Sequence, residues 1–340
     1  MKKDKQRTAY FDGLKLLALF VIFATHFINR FHSEYFFLWE QPPTSWLIAG
    51  IDGKLGVAVF SVILGYFAYK SSETSIARYS VKRYLYFFVC GMFINLIYGI
   101  LGWTGVFEEA YTLKQIVRAG VLLSDDIYHG FWCIRPFLAA SVLSRINGKA
   151  KAGVPGLLIE LAIFMIWGQI WTAVCIMGNV AAELMDEPHV RKTLSHRWVR
   201  ILIYIAAINV IKGPESNIRY MIYGVVSMVM IITLKDSTIV RKGLEWKPVS
   251  GPGRNSMAIY LIHGVLYRII GGLILGNAGG GTAYLLLFIT ALVLSWAVII
   301  AASYPLTRML DSAGEIAYRT CLMAYRKAAG LITKTYEEKG

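Results

Sequence analysis

Long apolar runs separated by short polar segments are the dominant pattern of this chain. A membrane-spanning helix needs roughly 20 mostly apolar residues. Candidate runs lie at about residues 14 to 32, 53 to 70, 83 to 103, 128 to 146, 198 to 212, 218 to 235, 255 to 276 and 283 to 304. No polar domain interrupts the series, so the pattern predicts an all-α, polytopic transmembrane helical bundle.

A further apolar stretch, Gly153 to Met185, is too long for one span and a little short for two. Trp167, Gly168 and Gln169 interrupt it near its middle. Lys and Arg near helix ends favour the cytoplasmic side of a membrane. If this stretch forms two short helices, all the basic loops fall on the same side of the membrane; if it forms one helix, they do not. We therefore predict about ten helices, with the N and C termini cytoplasmic.

The polar segments suggest how the chain is divided. Two segments, at about 33 to 52 and 104 to 127, are acidic and rich in aromatic residues, and we assign them to outer loops. After Pro305, apolar and basic residues mix in the pattern of an amphipathic helix on a membrane surface. We predict a transmembrane domain over residues 1–305 and a cytoplasmic amphipathic tail over residues 306–340.

Composition agrees with a membrane protein and excludes some other classes. The chain is 56% hydrophobic and 16% charged, whereas a soluble domain carries roughly 25% charged residues. The net charge of +14 comes from Lys and Arg at the ends of apolar runs, which indicates topology rather than nucleic-acid binding. The four cysteines lack the spacing of a metal site, and we predict neither a bound metal nor a disulfide framework.

Ionisable residues within apolar runs are costly and are therefore candidates for function. His26 follows Lys15 by eleven residues, roughly 16 Å along a helix. A neutral imidazole can take a proton from a hydroxyl near neutral pH, which makes His26 a candidate general base. His263 follows Asn255 and Tyr260 on a later run. For both histidines, a structural hydrogen bond between helices is an equally good interpretation.

A basic group follows the second apolar run and contains Arg78, Lys82 and Arg83. Such a group could bind the phosphates of a cytosolic anionic cofactor. It could also reflect only the basic character of cytoplasmic loops. The chain contains no GxSxG, no HExxH and no glycine-rich loop ending in Lys-Ser or Lys-Thr, so serine-hydrolase and nucleotide-hydrolysing mechanisms have no support.

Three segments, in order along the chain, resemble the acyltransferase-3 family. Phe11 to Lys15, followed by His26, is similar to the family's opening helix, where an Arg stands in place of Lys15. Gly56 to Tyr66 resembles its second helix, and the basic group that follows contains one clear counterpart, Arg83, of the family's paired arginines. Gly253 to His263 resembles its late helix, which ends in Tyr-Leu-x-His.

The resemblance implies a membrane O-acyltransferase of the bacterial inner membrane. It would move an acyl group, commonly acetyl from acetyl-CoA, onto a hydroxyl of a cell-envelope carbohydrate or related acceptor. The candidate catalytic residues are then His26, Asn255 and His263. The candidate donor-binding residues are Lys15, Arg78, Lys82 and Arg83.

The predicted partners are the lipid bilayer, acyl-CoA and a carbohydrate or other hydroxyl acceptor, without nucleic acid. The alternative is a transporter or flippase of a glycolipid or polysaccharide, with His26 and His263 lining its path. No internal repeat is visible in the sequence, which argues modestly against a transporter. The acceptor, the acyl chain length and the oligomeric state stay open at this point.

Overall fold

The computed structural model describes residues 2–31, 52–73, 75–185, 187–194, 196, 198–199, 201, 216–276 and 282–337. Within these ranges the regular structure is helical and no strand occurs, so the all-α prediction is confirmed. Five helices there are long and apolar enough to cross a membrane: Ala9–Phe31, Ile76–Trp103, Asn217–Asp236, Ser256–Leu275 and Tyr284–Lys327. The predicted helix at about 198 to 212 lies mostly outside the described residues.

The α-helices, numbered in chain order, are α1 Lys2–Phe31, α2 Gly53–Tyr69, α3 Ile76–Trp103, α4 Leu113–Leu122, α5 Ile134–Ala150, α6 Val154–Ile166, α7 Ile170–Leu184, α8 Pro188–Leu194, α9 Asn217–Thr233, α10 Thr238–Glu245, α11 Lys247–Gly253, α12 Ser256–Leu275 and α13 Thr282–Glu337. They form two compact units. The first unit comprises Met1–Thr74 and Ala139–Tyr304, and the second comprises Ser75–Leu138 and Pro305–Gly340.

Glycines bring the backbones of α2 and α7 into contact in the core of the first unit. A Cβ atom on Gly65 would lie 1.9 Å from the carbonyl oxygen of Cys175, and one on Gly178 would lie 2.1 Å from that of Val62. A real Cβ atom cannot lie so close to a carbonyl oxygen. The two backbones can therefore approach this closely only because both positions are glycine, as small residues allow at helix interfaces. The segment Gly56 to Tyr66 is therefore a packing surface between helices.

The stretch from Gly153 to Met185 forms two helices, as predicted, and the break between them falls at residues 167–169. Gly168 there has φ +71°, a left-handed conformation that costs glycine little because it has no Cβ. The Tyr69 hydroxyl lies 3.0 Å from the Ala152 carbonyl oxygen and 2.5 Å from Glu183 Oε1. Because one hydroxyl contacts both the start of α6 and the end of α7, the two helices form a hairpin whose ends lie side by side.

Helices α1 and α12 run in the same direction through the first unit. At one end, a Cβ atom on Gly253 would lie 1.8 Å from the carbonyl oxygen of Asp12. At the other end, a Cβ atom on Gly271 would lie 2.4 Å from the ring of Phe31. We call the end that contains Asp12 the proximal end of this unit and the end that contains Phe31 the distal end.

The helices α2, α9 and α13 run opposite to α1, because each starts at the distal end and then reaches the proximal end. The distal contacts join Gly53 with Thr25, Arg219 with Asp52, and Tyr284 with Phe31. The proximal contacts join Tyr66 with Phe11, Ile231 with Tyr10, and Tyr304 with Gly251. Alternate helix directions are what a series of membrane crossings requires.

In the second unit, α4 folds back along α3. Gly102 packs against the Glu109 backbone, Gly99 against Ile116, and Gly91 against Gly120. The contacts therefore follow α3 over eleven residues, or roughly 16 Å. Residues 104 to 127, which we assigned to an outer loop, thus contain a short helix that packs closely along the apolar span α3.

Helix α13 is 56 residues long and continues through Pro305. Proline removes one backbone donor from a helix but does not always end it. The boundary between the two compact units falls between Tyr304 and Pro305, inside this helix. The segment after Pro305 is helical, and its assignment as a cytoplasmic tail stays a prediction.

Candidate active site

Two histidines meet in the first unit. The ring centroids of His26 on α1 and His263 on α12 are 5.5 Å apart, and the rings are inclined by 34°. His26 is exposed, whereas His263 is only 4% exposed. Both were candidates from the sequence, and the parallel packing of α1 and α12 brings them together.

The hydrogen bond of His263 fixes its ring. Nδ1 lies 2.6 Å from the backbone carbonyl oxygen of Tyr260. Because a carbonyl oxygen only accepts, Nδ1 must carry the proton, and Nε2 of the neutral ring keeps its lone pair. The rings of Tyr260 and Tyr267 lie 5.6 Å and 6.3 Å from the His263 ring. His263 is therefore held in one orientation with Nε2 available as an acceptor.

Aromatic side chains from α1, α12 and α13 pack together around Tyr267, the neighbour of His263. Phe23 stacks on Trp296 with centroids 5.1 Å apart, and Phe27 lies 6.2 Å from Tyr267. These side chains are buried or partly buried. Through Tyr267 they form an apolar wall beside His263, and electrostatic interactions are stronger in such low-dielectric surroundings.

Two cations belong to the surroundings of His26. The charges of Lys54 and Arg268 both act on its ring, and Arg268 also acts on His263. Sequence reasoning missed both residues. Arg268 lies inside the apolar run at about 255 to 276, so the rule that intramembrane charges are functional candidates could have identified it.

Asp52 holds Lys54 in place at the distal end. Its Oδ1 accepts a hydrogen bond of 2.8 Å from the Lys54 backbone N–H and so caps the start of α2. Its Oδ2 lies 2.6 Å from a terminal nitrogen of Arg219 and 2.6 Å from the Tyr223 hydroxyl. This network ties α2 to α9 beside Thr25, the residue that precedes His26 in the chain.

A second charged group lies at the proximal end. Asp12 Oδ1 is 2.7 Å from Lys15 Nζ, and Asp12 Oδ2 is 3.5 Å from Arg254 Nε. Asn255 directly follows Arg254 and stands eight residues, roughly 12 Å, before His263. The structure thus pairs Lys15 with Asp12 and separates both Lys15 and Asn255 from the histidine pair. The predicted catalytic role of Asn255 stays a prediction.

The remaining candidate cations start α3 in the second unit. Arg78 and Lys82 are exposed and Arg83 is half-buried. Lys82 Nζ lies 4.8 Å from the centroid of the Tyr318 ring, and the Arg83 guanidinium lies 5.3 Å from that of Tyr79. In the part of the chain that the structure describes, none of these three cations forms an ion pair. A helix N-terminus adds positive potential, so this arrangement suits a phosphate-bearing ligand.

Cysteine and metal chemistry have little structural support in the described ranges. No group of three or more His, Cys, Asp or Glu side chains is placed to hold a metal there. Cys90, Cys133 and Cys175 are buried free thiols, and Cys321 is an exposed one.

Comparison with known proteins identifies the family. The family model for acyltransferase 3, described as an acyltransferase domain, matches residues 8–300. The match covers most of the sequence, so the chain belongs to the acyltransferase-3 family and the predicted family is confirmed. No curated protein and no solved structure matches the chain significantly. Together with the apolar helices, the family makes this protein a multi-pass membrane acyltransferase.

Proposed function

We propose that this enzyme is an acyl-CoA-dependent O-acyltransferase that moves an acetyl group from cytosolic acetyl-CoA to a hydroxyl of a carbohydrate or related acceptor. The observation that carries the proposal is the pairing of His26 with His263, in a chain of an acyltransferase family. Family membership favours this enzyme over the transporter alternative. The site has an exposed base, a fixed neighbour for that base, and an apolar wall.

His26 is the general base of the proposed reaction. It takes the proton of the acceptor hydroxyl while the acceptor oxygen attacks the thioester carbonyl carbon. The tetrahedral intermediate then collapses, the carbon–sulfur bond breaks, and the CoA sulfur leaves with the proton that His26 returns. In this proposal His263 Nε2 accepts a hydrogen bond from protonated His26 during the reaction, since Nδ1 is bound to the Tyr260 carbonyl oxygen and the two rings lie 5.5 Å apart.

Lys15, Arg78, Lys82 and Arg83 bind the phosphates of the donor in this proposal. Phosphates need cationic partners, and charge-assisted hydrogen bonds are the strong ones. Lys15 stands roughly 16 Å from His26 along α1, and it shares Asp12 with Arg254. No ion pair of the α3 cations occurs among the described residues, so we assign them the larger share of donor affinity.

For the topology, we propose ten membrane crossings in the bacterial inner membrane, with both termini cytoplasmic. The alternating directions of α1, α2, α9, α12 and α13 support this count. Helix α7 ends at the proximal end beside Tyr69, while α9 starts at the distal end at Asn217. We propose that the crossing between them is the helix predicted at about 198 to 212, which lies mostly outside the described residues.

The orientation can be tested with the native cysteine Cys321, which is exposed on α13. In intact cells, a membrane-impermeant maleimide should leave it unlabelled, and labelling should appear only after the cells are permeabilised. The Cys321→Ser variant controls for the three buried thiols. Labelling of Cys321 in intact cells would place this segment outside and contradict the proposed orientation.

The activity is tested with detergent-purified protein and acetyl-CoA, where water takes the place of the acceptor hydroxyl, by measuring both donor binding and thiol release. We expect His26→Ala to bind the donor normally and to release thiol about 10² to 10⁴ times more slowly. Arg83→Ala should weaken donor binding by about tenfold or more. His189→Ala, which removes an exposed histidine on α8, is the matched control and should behave as wild type. Unchanged thiol release in His26→Ala would refute the base assignment.

A further inference from the structure

The positive charge around His26 is not explained by proton transfer alone. Taking a proton from a hydroxyl requires a base and a neighbour that orients it, and His26 and His263 already supply both. Lys54 and Arg268 add two cations beside this pair. Cations at membrane depth are costly and usually serve a pathway or a ligand.

The distal network fixes the backbone at Lys54, at the start of α2. Asp52 caps α2 through the Lys54 backbone N–H, and the other carboxylate oxygen of Asp52 binds Arg219 and Tyr223. The start of α2 packs on α1 beside His26, because a Cβ atom on Gly53 would lie 3.4 Å from that of Thr25.

Arg268 reaches the same region from α12. It follows Tyr267, whose ring lies 6.3 Å from the ring of His263 and 6.4 Å from that of Phe23. Its side chain is exposed, whereas Tyr267 is buried. A guanidinium offers a planar pair of donors that matches a carboxylate or a phosphate. The two cations therefore approach His26 from different helices, α2 and α12.

We propose that Lys54 and Arg268 select an acceptor that carries a carboxylate or a phosphate close to the hydroxyl that is acylated. This inference rests on the proposed function and adds to it the chemical class of the acceptor. The anionic group binds the two cations and presents the neighbouring hydroxyl to His26. The bonds made and broken are those of the transfer itself, and the charge of the acceptor group does not change.

Three matched probes test this inference: methyl glucoside, its uronate with a carboxylate at carbon 6, and its 6-phosphate. Ester formation from acetyl-CoA is measured by mass spectrometry with the purified wild-type enzyme. We expect kcat/KM to be at least tenfold higher for one of the anionic probes than for the neutral sugar. Preference for the uronate would indicate a carboxylate-bearing acceptor, and preference for the 6-phosphate would indicate a phosphate-bearing one.

Variants separate acceptor selection from other roles of the two cations. Arg268→Gln and Lys54→Gln should each raise KM for the favoured anionic probe at least fivefold, and should leave KM for the neutral sugar unchanged. Arg268→Lys keeps the charge and should restore most of the preference. Arg241→Gln, on the exposed face of α10, is the matched control and should keep the full preference.

Equal use of neutral and anionic probes by wild type would overturn the inference. An equal fall of kcat for all probes in Arg268→Gln would also overturn it, because that result indicates stabilisation of the reacting oxyanion. Thioester consumption without acetylation of either anionic probe would overturn it as well and leave the donor chemistry intact. Failure of the proposed function itself would give a different result, because acetyl-CoA would then not be consumed in a His26-dependent way.

Discussion

The two ends of α1 use their charged groups differently. At the proximal end, Asp12 lies between Lys15 and Arg254, so opposite charges are paired close together. At the distal end, Asp52 is likewise paired with Arg219, but here two histidines, His26 and His263, face each other. The proximal end has the properties of a structural joint. The distal end has the properties of a reaction site, because it presents an exposed base beside an oriented partner.

Glycines strengthen this contrast. A Cβ atom on Gly13 would lie 2.3 Å from the carbonyl oxygen of Leu244, and one on Gly253 would lie 1.8 Å from that of Asp12. Both glycines belong to segments that resemble the family. Part of the family's sequence signature therefore reports how helices α1, α10 and α11 pack, and it does not by itself identify donor contacts.

The largest expected effect comes from Gly253→Ala. The new methyl group would meet the backbone of Asp12, which cannot move aside as a flexible side chain can. We expect the free energy of unfolding to fall by about 3 kcal/mol, measured as a lower midpoint of thermal unfolding in detergent. Gly272→Ala is the matched control, since a Cβ atom there meets nothing within 4 Å. Equal midpoints for the two variants would show that the proximal joint is not tightly packed.

A smaller loss of stability is expected from Asp12→Asn. This change leaves Lys15 and Arg254 without their carboxylate at a site where the Asp12 side chain is 10% exposed. We expect a loss of about 2 kcal/mol, measured by the same thermal unfolding. Glu315→Gln removes the carboxylate of the exposed pair with Arg319 and should change little. If the two variants behaved alike, the charges at the proximal end would not act as a joint.

The smallest expected effects concern donor binding. Lys15 is already paired with Asp12, so Lys15→Gln should weaken acetyl-CoA binding by roughly two- to fivefold. Lys82 lacks an ion pair within the described residues, and Lys82→Gln should cause a loss of roughly tenfold. Titration calorimetry at two salt concentrations measures both. A larger loss in Lys15→Gln would mean that the proximal end is itself the main donor site.

Much of the fold could be predicted from the sequence, because apolar runs and basic loops report membrane topology directly. The break at residues 167–169 and the two helices around it followed from length and charge parity. Helix α4 could not be predicted in this way. It is short, its flanks are polar, and its place is set by the glycines of α3 at positions 91, 99 and 102.

The candidate site was predicted only in part. His26 and His263 stood out because ionisable residues are rare in apolar runs. Their contact depends on how α1 and α12 pack, which no local pattern reports. Asn255 was grouped with His263 because both lie on one polar line, yet roughly 12 Å of helix separates them. Lys54 lies near His26 because the start of α2 packs against α1, and this packing could not be predicted from the sequence.

The central claim is that His26 and His263 act as one catalytic unit, and a double-mutant cycle tests it most directly. The rate of acetyl-CoA consumption is measured for wild type, His26→Ala, His263→Gln and the double variant. Residues that act as a unit give strongly non-additive losses. We predict that the double variant is about as slow as the slower single variant. Losses that multiply in the double variant would show that the two histidines act independently and would contradict it.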